Sequence, residues 1–189
     1  MNESHAYNNL LSLKSVFDKL HLTFWLDEGT ALGAHRGNEF IPNEGDIDIG
    51  MLGEDANKLP RIIEELKLEG WHFFHLNEHP CGVGKQLSCI RLGISVDISV
   101  YYLRGDKRWR LMFDLAPSRP KEEMRYFACV YPKHIYENLE EIDFLDAGTT
   151  FLVPPREFLE LQYGDWRNPN PCFKWQTDYL SMRPEWEIK

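Results

Sequence analysis

Two segments of this chain place carboxylates where a strand would normally bury hydrocarbon. "IPNEGDIDIGM", Ile41 to Met51, carries Glu44, Asp46 and Asp48 at every second position, with Ile47 and Ile49 between and after the last two. "ISVDISVYY" sets Asp97 among Val96, Ile98 and Val100. A strand sends alternate side chains to opposite faces. Extended, the first segment crowds up to three acids on one face and isoleucines on the other. The second puts Asp97 and Ser99 opposite a valine–isoleucine face. The chain is thereby restricted to a sheet with one apolar, covered face and one acidic face. Close carboxylates repel, and an isolated charge in an apolar strand is costly, so a cation is needed. If the two strands are neighbours, Asp46, Asp48 and Asp97 form a three-carboxylate site. Oxygen ligands select Mg²⁺, Mn²⁺ or Ca²⁺, and such a site can hold two Mg²⁺ about 4 Å apart, a clamp for phosphoryl displacement. The competing reading is that Asp46 and Asp48 are strand-edge acids and that Asp97 pairs with an arginine such as Arg91.

Hydrophobic periodicity supplies the rest of the frame. Ser4 to Leu20 reads as an amphipathic helix, with Leu10, Leu13, Phe17 and Leu20 at spacings of three and four. "LTFWLD" reads as a buried strand ending at Asp27. Gly29 and Thr30 then open a short helix that Gly37 closes, followed by a strand over Asp46 to Met51. "EDANKLPRIIEELKLEG" is helical, with its start blurred by Pro60 and its end at Gly70. "WHFFHL", "KQLSCIRLG", "ISVDISVYYL", "RWRLMFDL" and "RYFACVY" follow as strands, then a small hairpin in "FLDAGTTFLV" with its turn near Ala147 and Gly148. Pro155 to Tyr163 is a helix with Gly164 as its stop, before a tail rich in Trp and Pro. This order predicts an α+β (mixed α/β) domain on a mixed sheet.

At a strand-to-helix junction, Gly29 and Thr30 offer backbone N–H groups and a hydroxyl at the positive end of a helix, an arrangement that binds anions. Capping of the helix by Thr30 is the plainer alternative. Lys85 and Arg91, on the strand before Asp97, are candidates to reach a phosphate, with surface solvation as the alternative. "RGDKRWR" is a basic hairpin whose Trp109 is either a ligand contact or part of a turn. His75 and His79 are four apart, but Pro80 and the strand context argue against a helical metal pair.

Length and charge narrow the function. A chain of 189 residues fits one domain over 1–189 and buries roughly 70% of its unfolded surface, enough to need no disulfide staples. The formal net charge of -9 excludes sequence-neutral nucleic-acid binding, which needs a basic stripe. Cys81, Cys89, Cys129 and Cys172 contain no CxxC pair, so neither zinc nor a disulfide framework is indicated, and buried, reduced thiols are expected. The start of the chain has no signal-peptide pattern, and nothing approaches the ~20 apolar residues of a membrane span. The expectation is a soluble, cytoplasmic protein.

Gly29-Thr30, then Asp46-Ile-Asp48, then Asp97 on a later strand resembles the DNA polymerase beta-like nucleotidyltransferase superfamily. "GTALGAHRGNEFIPNEGDIDIGM", "VDISVYY" and "FLVPPREFLELQYGDWRNP" sharpen the resemblance to the LicD/fukutin family of phosphotransferases, its fukutin branch above all, over roughly Phe24 to Pro169. Asn43-Glu44-Gly45 stands where bacterial members often carry Trp-Asp-Asp, and the anchor of eukaryotic Golgi members has no counterpart in the chain as given. The resemblance implies a nucleotidyltransferase-like fold, a mixed sheet flanked by helices with extra strands and a C-terminal helix and tail. It implies a Mg²⁺-dependent enzyme, with Mn²⁺ as the substitute ion, that moves a phospho-alcohol, phosphocholine or ribitol phosphate, from a CDP-linked donor to a glycan hydroxyl and releases CMP. Asp46, Asp48 and Asp97 would be the metal and catalytic residues, with Asp97 also able to take the acceptor proton. Gly29, Thr30 and Arg36 would meet phosphate; for Arg36, bracing the acidic loop is the equal alternative. Glu44 reads as a residue behind the metal ligands or facing substrate, or else as a solvated loop residue. Two other readings share the same core: a nucleotidyltransferase moving NMP from an NTP to a small-molecule hydroxyl, and a nucleotide- or glycan-binding module without catalysis.

Overall fold

The computed structural model describes residues 1–42, 44–114, 125–183 and 188. Helix α1 (Glu3–Lys19) opens the chain, its first turn capped by Asn2, whose side-chain oxygen accepts the His5 N–H at 3.0 Å. Strand β1 (Phe24–Leu26) leads into α2 (Glu28–Gly37), β2 (Asp46–Leu52), a 3₁₀ turn over 53–58 and α3 (Leu59–Leu68). Strands β3 (His72–Glu78), β4 (Lys85–Arg91), β5 (Ile94–Arg104), β6 (Lys107–Asp114) and β7 (Arg125–Pro132) follow. The short helix α4 (His134–Glu137), the hairpin β8 (Glu140–Asp143) and β9 (Thr150–Val153), then α5 (Arg156–Tyr163), α6 (Trp175–Asp178) and β10 (Met182–Arg183) complete it. The expected mixed α/β architecture is present. The helix after β2 begins at Leu59 because Gly53 to Lys58 wind as the tighter 3₁₀ turn. The hairpin's first strand lies earlier than the residue pattern suggests; residues 144–149 connect it to the second, with Leu145, Asp146 and Gly148 at positive φ and the Gly148 N–H donating to Asp143 Oδ1 at 2.8 Å, so Ala147 and Gly148 lie in the turn as expected.

Among the described residues, an eight-stranded sheet runs β1-β2-β5-β6-β7-β10, with β3 and β4 branching off β5. Of the strands formed by the described residues, only β2 and β5 pair in parallel, Ile47 opposite Val96, Asp48 opposite Asp97 and Ile49 opposite Ile98. On the other edge of β5, Ser88 of β4 stands opposite Asp97. Side-chain alternation then divides the sheet. Ile47, Ile49, Met51, Val96, Ile98, Val100, Leu87 and Cys89 are buried in the core that takes in Leu10, Leu13 and Phe17 of α1. The opposite face carries Asp46, Asp48, Ser88 and Asp97. Phe17 meets Phe24 at 5.0 Å and Tyr7 meets Phe151 at 6.3 Å between ring centroids, so α1 also covers β1 and the β8–β9 hairpin. Cys89 and Cys129 are buried as expected; Cys81 and Cys172 are exposed, both in loops. Among the described residues, no helix is long and apolar enough to cross a membrane.

A buried polar cluster fixes the junction of β1 and α2. Glu28 takes φ 38°, a left-handed conformation that costs a non-glycine residue roughly 1–3 kcal/mol and must be held by its surroundings. Its carboxylate is paired with the fully buried Arg110 of β6 and accepts the Gln162 amide of α5 at 3.3 Å. Gln162 in turn accepts the hydroxyls of Tyr131, at 2.5 Å, and Ser181. Asp27, wholly buried, accepts the Tyr101 hydroxyl at 2.7 Å. Burial raises the Asp27 carboxyl to about 6, against the pull of Arg110 and Tyr101 in the other direction.

Two expectations follow. An added Cβ at Gly50, the β2 residue paired with Trp25, would sit 2.2 Å from the buried Trp25 indole nitrogen. Gly50→Ala is expected to lower stability by about 1–3 kcal/mol in urea denaturation; an unchanged midpoint would show that the indole yields. For Asp27 the folded pKa lies above the unfolded one, so its contribution to stability falls as pH rises from about 4 through 6. Asp27→Asn has no such loss. The difference in unfolding free energy should shift in the variant's favour by at most about 3 kcal/mol between pH 4 and 7, and a pH-independent difference would place the raised carboxyl elsewhere.

Candidate functional site

The acidic face of β2 and β5 forms the floor of a cavity of about 440 Å³. Asp46, Asp48 and Asp97 each bring one carboxylate oxygen to within 4.8 Å of the others, the one such cluster among the described residues. Parallel register is the cause: Asp48 and Asp97 are cross-strand partners, and Asp46 lies one step of the same face away. Glu28, Gly29, Glu44, Gln86 and Ser88 join the wall, with Phe74, His75, Met112 and Phe113 on the remaining sides. Of the described residues lining the cavity, five are carboxylates and none is Lys or Arg.

The electrostatics match that inventory. Asp48 is pushed well above the usual carboxylate range, first by burial and then by Asp46, Asp97, Glu44 and Asp27. Burial raises Asp46 as well. Burial raises Asp97, and Asp46 adds to it, while Ser88 and His75 pull it down. The Gln86 amide donates to Asp97 Oδ2 at 3.3 Å. Glu44 rises to about 7, through burial and then Asp46, with Arg36 opposing. Carboxylates forced toward the neutral form by burial and, at Glu44, Asp48 and Asp97, by one another are short of positive charge. An all-oxygen set of this spacing, with no basic side chain in its wall, fits a hard divalent cation.

The other residues singled out by the sequence take varied places. Gly29 lines the cavity, and a Cβ there would lie 2.4–2.7 Å from the Glu44 carboxylate, so the missing side chain lets Glu44 lie against the start of α2. The Thr30 hydroxyl is buried and accepts the Asp48 N–H at 2.9 Å; it ties α2 to the acidic strand instead of facing the cavity. Arg36 donates through Nε to the Trp166 carbonyl at 2.5 Å and lies close enough to Glu44 to lower its pKa, outside the wall of the acidic cavity. Lys85 pairs with Glu78 at 3.3 Å and is also outside that wall. Arg91 is turned away altogether. It shares the face of β4 that holds Leu87 and Cys89, donating to the Glu69 and Asn8 carbonyls and to Asn9 Oδ1 of α1, so it neither pairs with Asp97 nor reaches the cavity. Trp109 is buried and stacks on Tyr102 at 5.2 Å, a packing role.

Sequence reasoning passed over Glu28, Gln86 and the Arg110 behind Glu28, and weighed His75 only as half of a helical metal pair, not as part of this wall. Period-two alternation in "KQLSCIR" would have found Gln86 and Ser88 on the acidic face. Nothing local marks Arg110 as buried, since its partner lies 82 residues earlier.

The chain is similar to several known proteins. A profile described as LicD/FKTN/FKRP, nucleotidyltransferase domain, matches residues 21–155. An uncharacterized protein of Rickettsia typhi is 26% identical over 163 residues, covering 85% of this chain and 46% of its own length. Ribitol-5-phosphate transferase FKTN of Mus musculus is 25% identical over 187 residues, covering 94% of this chain and 37% of its own. The chain thus spans less than half the length of the curated relatives it matches. The solution structure of antibiotic-resistance factor ANT(2'')-Ia superposes with a TM-score of 0.53 at 16% identity, over 94% of this chain and 80% of that one, a likeness of fold. With the profile match running from before β1 to the start of α5 and spanning all three converging acids, the chain belongs to the LicD/FKTN/FKRP nucleotidyltransferase-domain family.

Proposed function

We propose that this domain is a transferase that moves a phospho-alcohol, of the ribitol phosphate or phosphocholine type, from a CDP-linked donor to a glycan hydroxyl. The observation that carries the proposal is the convergence of Asp46, Asp48 and Asp97 in a cavity with no Lys or Arg among the described residues of its wall. Similarity to ribitol-5-phosphate transferase FKTN supports the choice of phospho-alcohol over nucleotide as the group moved. Mg²⁺ held by Asp46, Asp48 and Asp97, with Mn²⁺ able to substitute, would neutralise the diphosphate and the charge growing on its leaving oxygen. The chain's own residues do the rest. The acceptor hydroxyl oxygen attacks the phosphorus that bears the alcohol. The bond from that phosphorus to the bridging oxygen breaks, and CMP departs. Asp97, the acid that β5 brings to the cluster, takes the hydroxyl proton. Gln86, bonded to Asp97 Oδ2, holds the carboxylate in position through that transfer. Glu28 and Thr30 keep Gly29 at the cavity wall, where its backbone N–H at the start of α2 favours the donor's phosphate.

Two experiments test the reading. Incubation with CDP-ribitol or CDP-choline, Mg²⁺ and a mixed glycan acceptor should release CMP. Asp97→Asn should keep the far-UV spectrum and melting behaviour of the native chain and lose at least about 100-fold in turnover. Pyrophosphate release from CTP, with no CMP from either CDP-alcohol, would replace the proposal with nucleotidyl transfer. Separately, Mn²⁺ binding followed by electron paramagnetic resonance should disappear in Asp48→Ala; equal binding by wild type and variant would remove the metal site from these acids.

A further inference from the structure

Beside the acidic cavity lies a second one of about 670 Å³, and the two share Glu44 and Tyr179 in their walls. From its lining we infer that this second cavity binds a neutral sugar ring. Three aromatic rings cluster along it: Tyr163 lies 5.4 Å from Phe173 and 5.5 Å from Tyr179, and Phe173 lies 5.6 Å from Tyr179. A sugar presents a C–H face that packs on such rings and an edge of hydroxyls that needs hydrogen-bond partners. Such partners line the same cavity as a pre-formed pair, Asp165 and Asn168. Asn168 Nδ2 donates to Asp165 Oδ2 at 2.7 Å, which leaves one further oxygen on each side chain to accept from adjacent hydroxyls.

Charge selects a neutral ligand over a phosphorylated one. Among the described residues the ionisable side chains of the wall other than tyrosine are Glu44, Asp165 and Arg36. Arg36 donates to the Trp166 carbonyl and acts on Glu44, whose carboxyl it pulls down. One guanidinium against two carboxylates, with no convergent metal-ligand set, offers a diphosphate no net positive charge, whereas the neighbouring cavity has the acids that a metal-bound diphosphate needs. The shared wall gives the sugar a direction: a hydroxyl that projects past Glu44 enters the chamber of Asp46, Asp48 and Asp97. Naming this sugar the acceptor rests on the transfer reading above; placing a neutral sugar in this cavity does not.

Saturation-transfer NMR on the full chain tests it, with methyl glycosides of galactose, glucose and N-acetylglucosamine as probes and with CDP plus Mg²⁺ titrated in parallel. At least one glycoside should bind without donor or metal. The double variant Asp165→Ala/Asn168→Ala changes two exposed loop residues and should weaken that glycoside about five- to tenfold, with CDP affinity kept within about twofold. Silence from all three glycosides, or equal binding by wild type and variant, overturns the inference. A variant that loses CDP instead of glycoside makes the cavity the nucleoside's, which also overturns it. If glycosides bind as expected while CDP-alcohols release no CMP, the transfer reading falls and the sugar site stands.

Discussion

Parallel pairing of β2 with β5 is the constraint on which the rest of the molecule depends. It sets Asp48 directly across from Asp97 and keeps Asp46 on the same face. A register slip of one residue would turn every acid of one strand into the core and every isoleucine out of it. The apolar half of each strand therefore enforces the position of the polar half. Ile47, Ile49, Val96 and Ile98 are fully buried, and their packing holds the carboxylates against their mutual repulsion.

A second layer of support comes from α2. Thr30 binds the Asp48 N–H, Gly29 gives room to Glu44, and Glu28 is anchored through Arg110 to β6 and through Gln162 to α5. Each of these adjoining residues is used differently: one braces a strand, one leaves space, and one carries an uncommon backbone angle. The helix N-terminus and the acidic strand thus meet as one wall, and substrates arriving there would encounter a surface set before they bind.

Much of this was legible in the residue order, because period two and period 3.6 report local geometry. The alternation in "GDIDIGM" and "ISVDISVYY" was enough to group the three acids and to assign the opposite face to the core. What the order concealed were contacts whose partners lie far apart. Arg91 looked like a neighbour of Asp97, but odd and even positions of β4 point to opposite faces, and Arg91 falls on the wrong one. Thr30 read as a ligand contact or, more plainly, as a cap, and its hydroxyl took a third course, to the backbone of β2. Arg110 sat in a basic run that resembled a solvated hairpin; burial beside Glu28 depends on where β6 lands, which no local pattern encodes.

The Glu28 contacts also bear on how the chain folds. Its partners Arg110 and Gln162 are 82 and 134 residues away along the sequence. Bringing partners together over such separations costs more loop-closure entropy than a contact between near neighbours does. The left-handed turn at Glu28 is held by side chains of β6 and α5, not by its own helix. A chain stopped short of α5 would carry the three carboxylates and lack one of the two side chains that hold the cradle beside them.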